Sequence, residues 1–178
     1  RQAMNVYAPI GAMRVMGAST SAAGALQMPR TIITIFLPTM AGVWVGKKAS
    51  NAWKAMVVGT LFVAVPMAVM GFTTPSTSII IYFVALTITG IAESYRSVAI
   101  TPSAQATLQP ADMGVGTSLV NFVNSLANTI AAAVFGAAYN LSTAADPTNV
   151  AYIQNGVNSV FRLAAIVAAV SYTHLTLP

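Results

Sequence analysis

The sequence predicts an all-α polytopic membrane bundle, about four full spans plus two partial ones, and three observations predict it. Only 6% of the 178 residues are charged while 56% are apolar, against about 25% charged in soluble domains, so too little polar surface exists to cover a globule in water. Uncharged apolar runs reach the roughly 20 residues that a bilayer core of about 30 Å demands of a helix. The runs are continuous and rich in Ala, Leu and Met, whereas barrel strands alternate over about ten residues. A soluble enzyme is thereby excluded.

Two runs are the firmest spans. Residues 55–72 (AMVVGTLFVAVPMAVMGF) carry no charge, and neither do residues 113–145, whose apolar body is 114–139. Residues 22–45 make a span that contains Arg30, and residues 77–97 make one that contains Glu93 and Arg96. Residues 156–169 begin another, and residues 1–13 finish an earlier one. The connections 46–51, 73–76, 98–112 and 141–155 are short, which makes neighbours in sequence antiparallel neighbours in space. Pro38 and Pro66 are candidate kinks. Trp44, Trp53 and Tyr139 lie at span ends as interfacial anchors do.

The ends of the chain carry their own expectations. Arg1 enters an apolar stretch without the charged region or cleavage site of a signal peptide, which reads as an internal start. Residues 170–178 (VSYTHLTLP) lose the helical period. They back-translate to GTC TCT TAT ACA CAT CTG ACG CTG CCG, which resembles read-through into a transposon-type sequencing adapter, so function is read from residues 1–169.

Eight Lys and Arg against three Asp and Glu give a net charge of +5. The cations are scattered between lipid-like stretches, which argues for membrane topology and against nucleic acid. Lys47, Lys48 and Lys54 crowd one connection, while 73–76 and 141–155 contain no Lys or Arg, so the lysine side is assigned to the cytoplasm. There is no Cys and a single His, His174, so thiolate chemistry and a histidine metal cluster are excluded. The chain holds no GxxxxGK[ST], HExxH or GxSxG motif, and neither an enzyme activity nor a cofactor or metal site is expected.

Charges inside a span cost about 2.5–3.5 kcal/mol each at the centre, so they need protein or water around them. Arg30, Glu93, Arg96 and Arg162 are therefore the informative residues. Glu93 and Arg96 lie three apart on one helix face, where they either pair with each other or line a wet cavity, Glu93 then serving as a protonatable carboxylate. Arg30 follows Pro29 and either draws an anionic substrate, neutralises a carboxylate on a missing half of the bundle, or snorkels to the headgroups. Arg162 has the same ambiguity. Ser118, Asn121, Asn124, Ser125 and Asn128 recur at spacings of three and four opposite Val120, Phe122 and Val123, a polar stripe that either glues helices or lines an aqueous path. Ala132 and Gly136 allow a close helix approach.

The segment YAPIGAMRVMGASTSAAGALQMPRTI resembles the C-terminal half of major facilitator superfamily transporters, in particular the fourteen-span drug:proton antiporter branch. Tyr7, Pro9, Gly17, Ser19, Gly24 and Pro29 fall at that branch's spacing, and GTSLVNFVNSLANTIAAAVFGAA is similar to its penultimate span. AGVWVGKKASNAWK stands where the family has its cytoplasmic G-x-x-x-D-R-x-G-R-R loop, with Gly42 matching, Lys47, Lys48 and Lys54 supplying the charge, and Gly46 and Ala49 departing from the acidic and second glycine positions.

The resemblance implies alternating access, with a drug or metabolite leaving as a proton enters, in a multi-pass protein of the bacterial inner membrane. It implies as partners the lipid bilayer, protons, a small-molecule substrate and an N-terminal half of the same chain, without which this half is inactive. Glu93 is the expected proton site, with Arg96, Arg30, Asn121, Asn124 and Asn128 along the pathway. The competing expectations are an importer or uniporter of sugars, nitrate or organic anions, in which Arg30 matters most, and a membrane subunit that transports nothing.

Overall fold

A computed structural model describes residues 2–106 and 108–176, and every described secondary-structure element is helical. The N-terminal segment places a short α1 (Ala8–Ile10) between two π-helical stretches, Ala3–Tyr7 and Gly11–Val15. Pro9 accounts for the wide turn before it: its ring has no N–H and collides with the carbonyl four residues back, at Asn5. Gly17, at φ +68°, ends the segment in the left-handed conformation that side chains resist. Ser19 then caps α2 (Thr20–Ala25), its hydroxyl accepting from the Ala22 amide at 3.2 Å.

Four long helices and one interrupted one follow. α3 (Met28–Gly46) is separated from α2 by two residues, Leu26 and Gln27. Pro29 explains the interruption, because it cannot bond to the carbonyl of Ala25, the last residue of α2. α4 (Ala49–Met70), α5 (Ile79–Gln105), α6 (Met113–Thr143) and α7 (Val150–Thr176) complete the chain. Five stretches, 20–46, 50–70, 79–100, 110–143 and 150–174, are long and apolar enough to cross a bilayer, which makes this an integral membrane helical bundle.

Several expected boundaries move. Residues 156–169 are not a partial span, because α7 starts earlier, its first turn capped by Asn149 Oδ1 accepting from the Ala151 amide at 2.9 Å. Its other end continues to Thr176 although the apolar period stops at Val170. Hydroxyls of Ser171 and Thr173 back-bond to Val167 and Ala169, so these polar residues remain helical. The connection 98–112 shrinks likewise, since α5 runs through Pro102 to Gln105. α3 and α4 run unbroken through Pro38 and Pro66.

Packing follows chain order only in part: α4 with α5 and α6 with α7 are extensive neighbours, but so are α3 with α5 and α4 with α7. α3 lies on α5, α5 on α4, α4 on α7 and α7 on α6, while α3 with α4 and α5 with α6 touch far less. The N-terminal segment packs on α7. Short loops fix direction along the bundle but not lateral position, and here glycines decide the latter. A Cβ at Gly90 would sit 3.1 Å from the Arg30 Cα, and one at Gly71 would sit 3.1 Å from the Arg162 backbone nitrogen, so these glycines let α3 meet α5 and α4 meet α7 backbone to backbone. Gly136, in contrast, has only the Tyr7 hydroxyl at 3.9 Å, and the Ala132–Gly136 pair does not make the close crossing expected of it.

The core gathers Met4, Met70, Tyr82, Leu86, Val157 and Phe161 where the N-terminal segment, α4, α5 and α7 converge. The outer faces of α3 and α6 remain open: Ile35, Phe36 and Met40 on α3, and Leu119, Phe122 and Ile130 on α6, are all more than half exposed. Such contiguous apolar faces suit hydrocarbon or another protein and not water.

Candidate functional site: a polar cavity within the spans

Between α5 and the Asn-bearing half of α6 the bundle opens into a cavity of about 540 Å³, a size that accommodates a drug-sized molecule. Its polar lining comes from Arg30 on α3, from Thr89, Glu93, Arg96 and Ser97 on α5, and from Asn121, Asn124, Ser125 and Asn128 on α6. Met4, Val63, Met67 and Ile100 supply apolar surface. The cavity is thus amphipathic.

The charges are built from two helices. Arg30 Nη2 donates to Glu93 Oε2 at 2.7 Å, and the two side chains are only 12% and 17% exposed. The second guanidinium nitrogen, Nη1, donates to Asn5 Oδ1 in the π-helical segment. Gln27, in the α2–α3 break, donates from Nε2 to the Met4 carbonyl at 2.9 Å and holds that break against the same segment. Gly90 brings the Arg30 backbone within reach of Glu93, less than one turn further along α5. Sequence spacing left Glu93 and Arg96 either as a pair or as cavity-lining neighbours, and both border the cavity. The structure supplies Glu93 with a cross-helix partner 63 positions away, and Arg30 neutralises a carboxylate of this same chain.

Arg96 rests its aliphatic stem on α4, where a Cβ at Gly59 would fall 2.6 Å from the Arg96 Cγ. Its stem is packed while its residue borders the cavity.

The asparagine stripe faces the cavity as well. At 100° per residue, Asn121, Asn124, Ser125 and Asn128 share a face with Phe135, Tyr139 and Thr143 further along α6. Those later residues close against the rest of the bundle: Tyr139 stacks on Tyr7 at 5.5 Å and lies against Gly156, as does Thr143. One helix face is therefore sealed at one end and open to the cavity at the other. Phe122 and Val123 point away, 64% and 54% exposed. Val120 is half-buried, and Ser118 does not line the cavity but back-bonds to Gly114.

Other expected residues lie elsewhere. Gly42 is inside α3 and Lys54 inside α4, so of the proposed loop only Lys47 and Lys48 occupy the turn. Trp44 and Trp53 flank that turn, 38% and 51% exposed, whereas Tyr139 belongs to the interior packing and not to an interface. Arg162 donates from Nε to the Gly71 carbonyl at 2.7 Å and sits 4.7 Å over the Phe72 ring, capping the end of α4.

Sequence reasoning missed a buried polar knot at that end. Asn158 Oδ1 accepts from Thr73 Oγ1 at 3.0 Å and from Gln154 Nε2 at 2.7 Å, and Asn158 Nδ2 donates to the Thr73 carbonyl at 2.8 Å. All three residues are more than nine-tenths buried, and the Tyr82 hydroxyl lies 3.4 Å from Thr73. The signal was available as Gln154 and Asn158 four apart on one helix face, but Gln154 had been read as loop.

Chemically, the cavity offers one carboxylate, two guanidinium groups and a row of amides, bounded by apolar side chains. It can hold a proton and hydrogen-bond a small molecule. Among the described residues no three His, Cys, Asp or Glu side chains gather as a metal site. Comparison of the chain with known protein families, curated proteins and solved structures returns no match.

Proposed function

We propose that this bundle is one half of a secondary active transporter that moves small amphipathic molecules by alternating access, coupled to protons through Glu93. The observation that carries the proposal is the convergence of Arg30, Glu93, Arg96 and three asparagines on one cavity inside helices that are otherwise lipid-like. Ionisable groups in a span are costly unless they border water, and natural membrane proteins keep them where they serve a pathway. A second bundle facing the open side, lined by α3, α5 and α6, would complete the passage. Export against proton entry, across a bacterial inner membrane, is the mode that the likeness to drug:proton antiporters favours. A second mode, transport of organic anions, is favoured by the two guanidinium groups that share the cavity with one carboxylate.

The test uses the absence of cysteine from these 178 residues. Single Cys variants at Asn124 and Ser125 should react with a membrane-impermeant thiol reagent, and those at Leu119 and Ile130 should not. In vesicles holding the full-length transporter, Glu93→Gln should abolish proton-driven transport. Unreactive cavity positions together with unchanged proton coupling would refute the proposal.

A further inference from the structure

We infer that the pocket between the α4–α5 turn and the first turns of α7 holds the headgroup of a phosphatidylglycerol-type lipid, its phosphodiester on Arg162 and its hydroxyls on Gln154 and Asn155. The inference stands apart from the transporter reading, because none of the residues around this pocket lines the polar cavity. The pocket measures about 330 Å³ and lies at the far end of α4 from the turn that carries Lys47 and Lys48.

Three contacts fix the Arg162 guanidinium. Its Nε donates to the Gly71 carbonyl at 2.7 Å, its Cγ lies 2.8 Å from where a Cβ on Gly71 would stand, and its central carbon sits 4.7 Å over the Phe72 ring. Nη1 and Nη2 donate to no described residue, and the side chain is exposed. A guanidinium held in this way offers the planar pair of N–H groups that a phosphodiester takes bidentately. Gln154 gives an independent sign. It is 5% exposed and its Nε2 is committed to Thr73 and Asn158, yet its Oε1 is buried without a donor. Buried acceptors are nearly always satisfied, and a headgroup hydroxyl is a donor of the right kind. The exposed Asn155 amide borders the same pocket. Among the described lining residues Arg162 is the one ionisable group. It matches a single phosphodiester charge, whereas a choline or ethanolamine head sets a second cation beside Arg162 with no lining carboxylate to receive it.

The acyl chains have a path as well. Thr73 meets Asn158 while Gly71 meets Arg162, so α4 and α7 run antiparallel. Val65, Val69 and Phe72 on α4, and Ile166 and Val170 on α7, are exposed at helical spacing from the pocket. Both stripes lead from the headgroup along the spans in one direction for about 10–12 Å. A basic pocket between spans, with apolar surface below it, suits a lipid headgroup.

The experiment measures lipid binding to the full-length protein by native mass spectrometry, with dioleoyl forms of phosphatidylglycerol, phosphatidylmethanol and phosphatidylcholine. Phosphatidylglycerol should bind at least about tenfold tighter than phosphatidylcholine, and about fivefold tighter than phosphatidylmethanol, which keeps the phosphodiester and lacks the hydroxyls. Arg162→Gln should weaken phosphatidylglycerol at least about tenfold, and Arg162→Lys, a point charge without the fork, about threefold. Lys47→Gln together with Lys48→Gln should leave the preference unchanged. Phosphatidylglycerol should also raise the melting temperature of the parent and not that of Arg162→Gln. Should Arg162→Gln fail to fold, Arg162→Lys and the three lipids on the unaltered protein decide. Equal binding of phosphatidylglycerol and phosphatidylcholine, or a preference that survives Arg162→Gln, overturns the inference. Equal binding of phosphatidylmethanol overturns the assignment of the hydroxyls. Displacement of the lipid by an equal concentration of soluble glycerophosphoglycerol overturns the lipid as occupant. None of these outcomes bears on the polar cavity, so the transporter reading stands or falls on its own test.

Discussion

Removing one partner of the Arg30–Glu93 pair should cost more than removing both, and the size of the difference can be worked from the geometry. The side chains meet at 2.7 Å with 12% and 17% exposure, but they border a polar cavity and not dry hydrocarbon. Two unit charges about 4 Å apart attract by about 4 kcal/mol at an effective dielectric near 20. Desolvation offsets part of that in the intact pair, whereas the charge left by a single substitution keeps its desolvation cost and loses this opposite charge. Arg30→Gln or Glu93→Gln alone should therefore destabilise by about 2–4 kcal/mol, and the double variant by about 1–2 kcal/mol. For a chain of this size about 1 kcal/mol corresponds to roughly 2–4 °C. The single variants should thus melt about 4–16 °C below the parent in detergent and the double variant clearly above at least one of them. Additive losses, with a coupling below about 0.5 kcal/mol, would refute the argument that this pair joins α3 to α5.

Further outcomes follow from the same geometry. Gly90→Ala should destabilise by about 1–3 kcal/mol because the new methyl meets the Arg30 backbone, whereas Gly42→Ala, with open space around it, should be neutral or stabilise by up to about 1 kcal/mol; thermal melting of both variants checks the contrast. Asn158→Ala deletes three hydrogen bonds worth about 0.6 kcal/mol each on the membrane-protein average, so it should cost about 2 kcal/mol and speed hydrogen exchange at the start of α7. Asp146, in the turn between α6 and α7, has its carboxyl held below the ordinary value of 3.8, first by the Thr148 hydroxyl and then by the Thr148 amide. A depressed carboxyl steadies the turn above the ordinary value and ceases to do so as pH falls through the lowered one. A carbon-13 titration should show that low midpoint, and Thr148→Val should move it up.

Much of the cavity was legible in advance because charge inside an apolar run is conspicuous. Arg30, Glu93, Arg96 and the three asparagines stand out against their surroundings on transfer cost alone and line the same space, while Ser118 and Arg162, singled out on the same ground, lie outside it. Which of them pair was not legible. The i,i+3 spacing brings Arg96 and Glu93 onto one face, while the further partner on α3 depends on a helix crossing set by Gly90. Helix ends misread for a related reason. Ser, Thr and Asn around residues 142–159 carry a loop composition, yet Ser142 and Thr143 back-bond to Ala138 and Tyr139 and extend α6. Lateral order was hidden as well, since short connections are compatible with several arrangements of neighbours.

The notch at Gly90 has a mechanical consequence. α3 lies there main chain against main chain, with the Arg30 Cα and carbonyl oxygen at 3.1 and 3.3 Å from where a methyl would stand. A notch at a single glycine pins the crossing, because one turn away along α5 the Arg30 backbone would meet residues that carry a Cβ, Leu86 on one side and Ser94 on the other. A displacement of α3 along α5 by one helical pitch, about 5.4 Å, carries the guanidinium out of reach of its carboxylate, so axial travel and ion-pair rupture become a single coordinate.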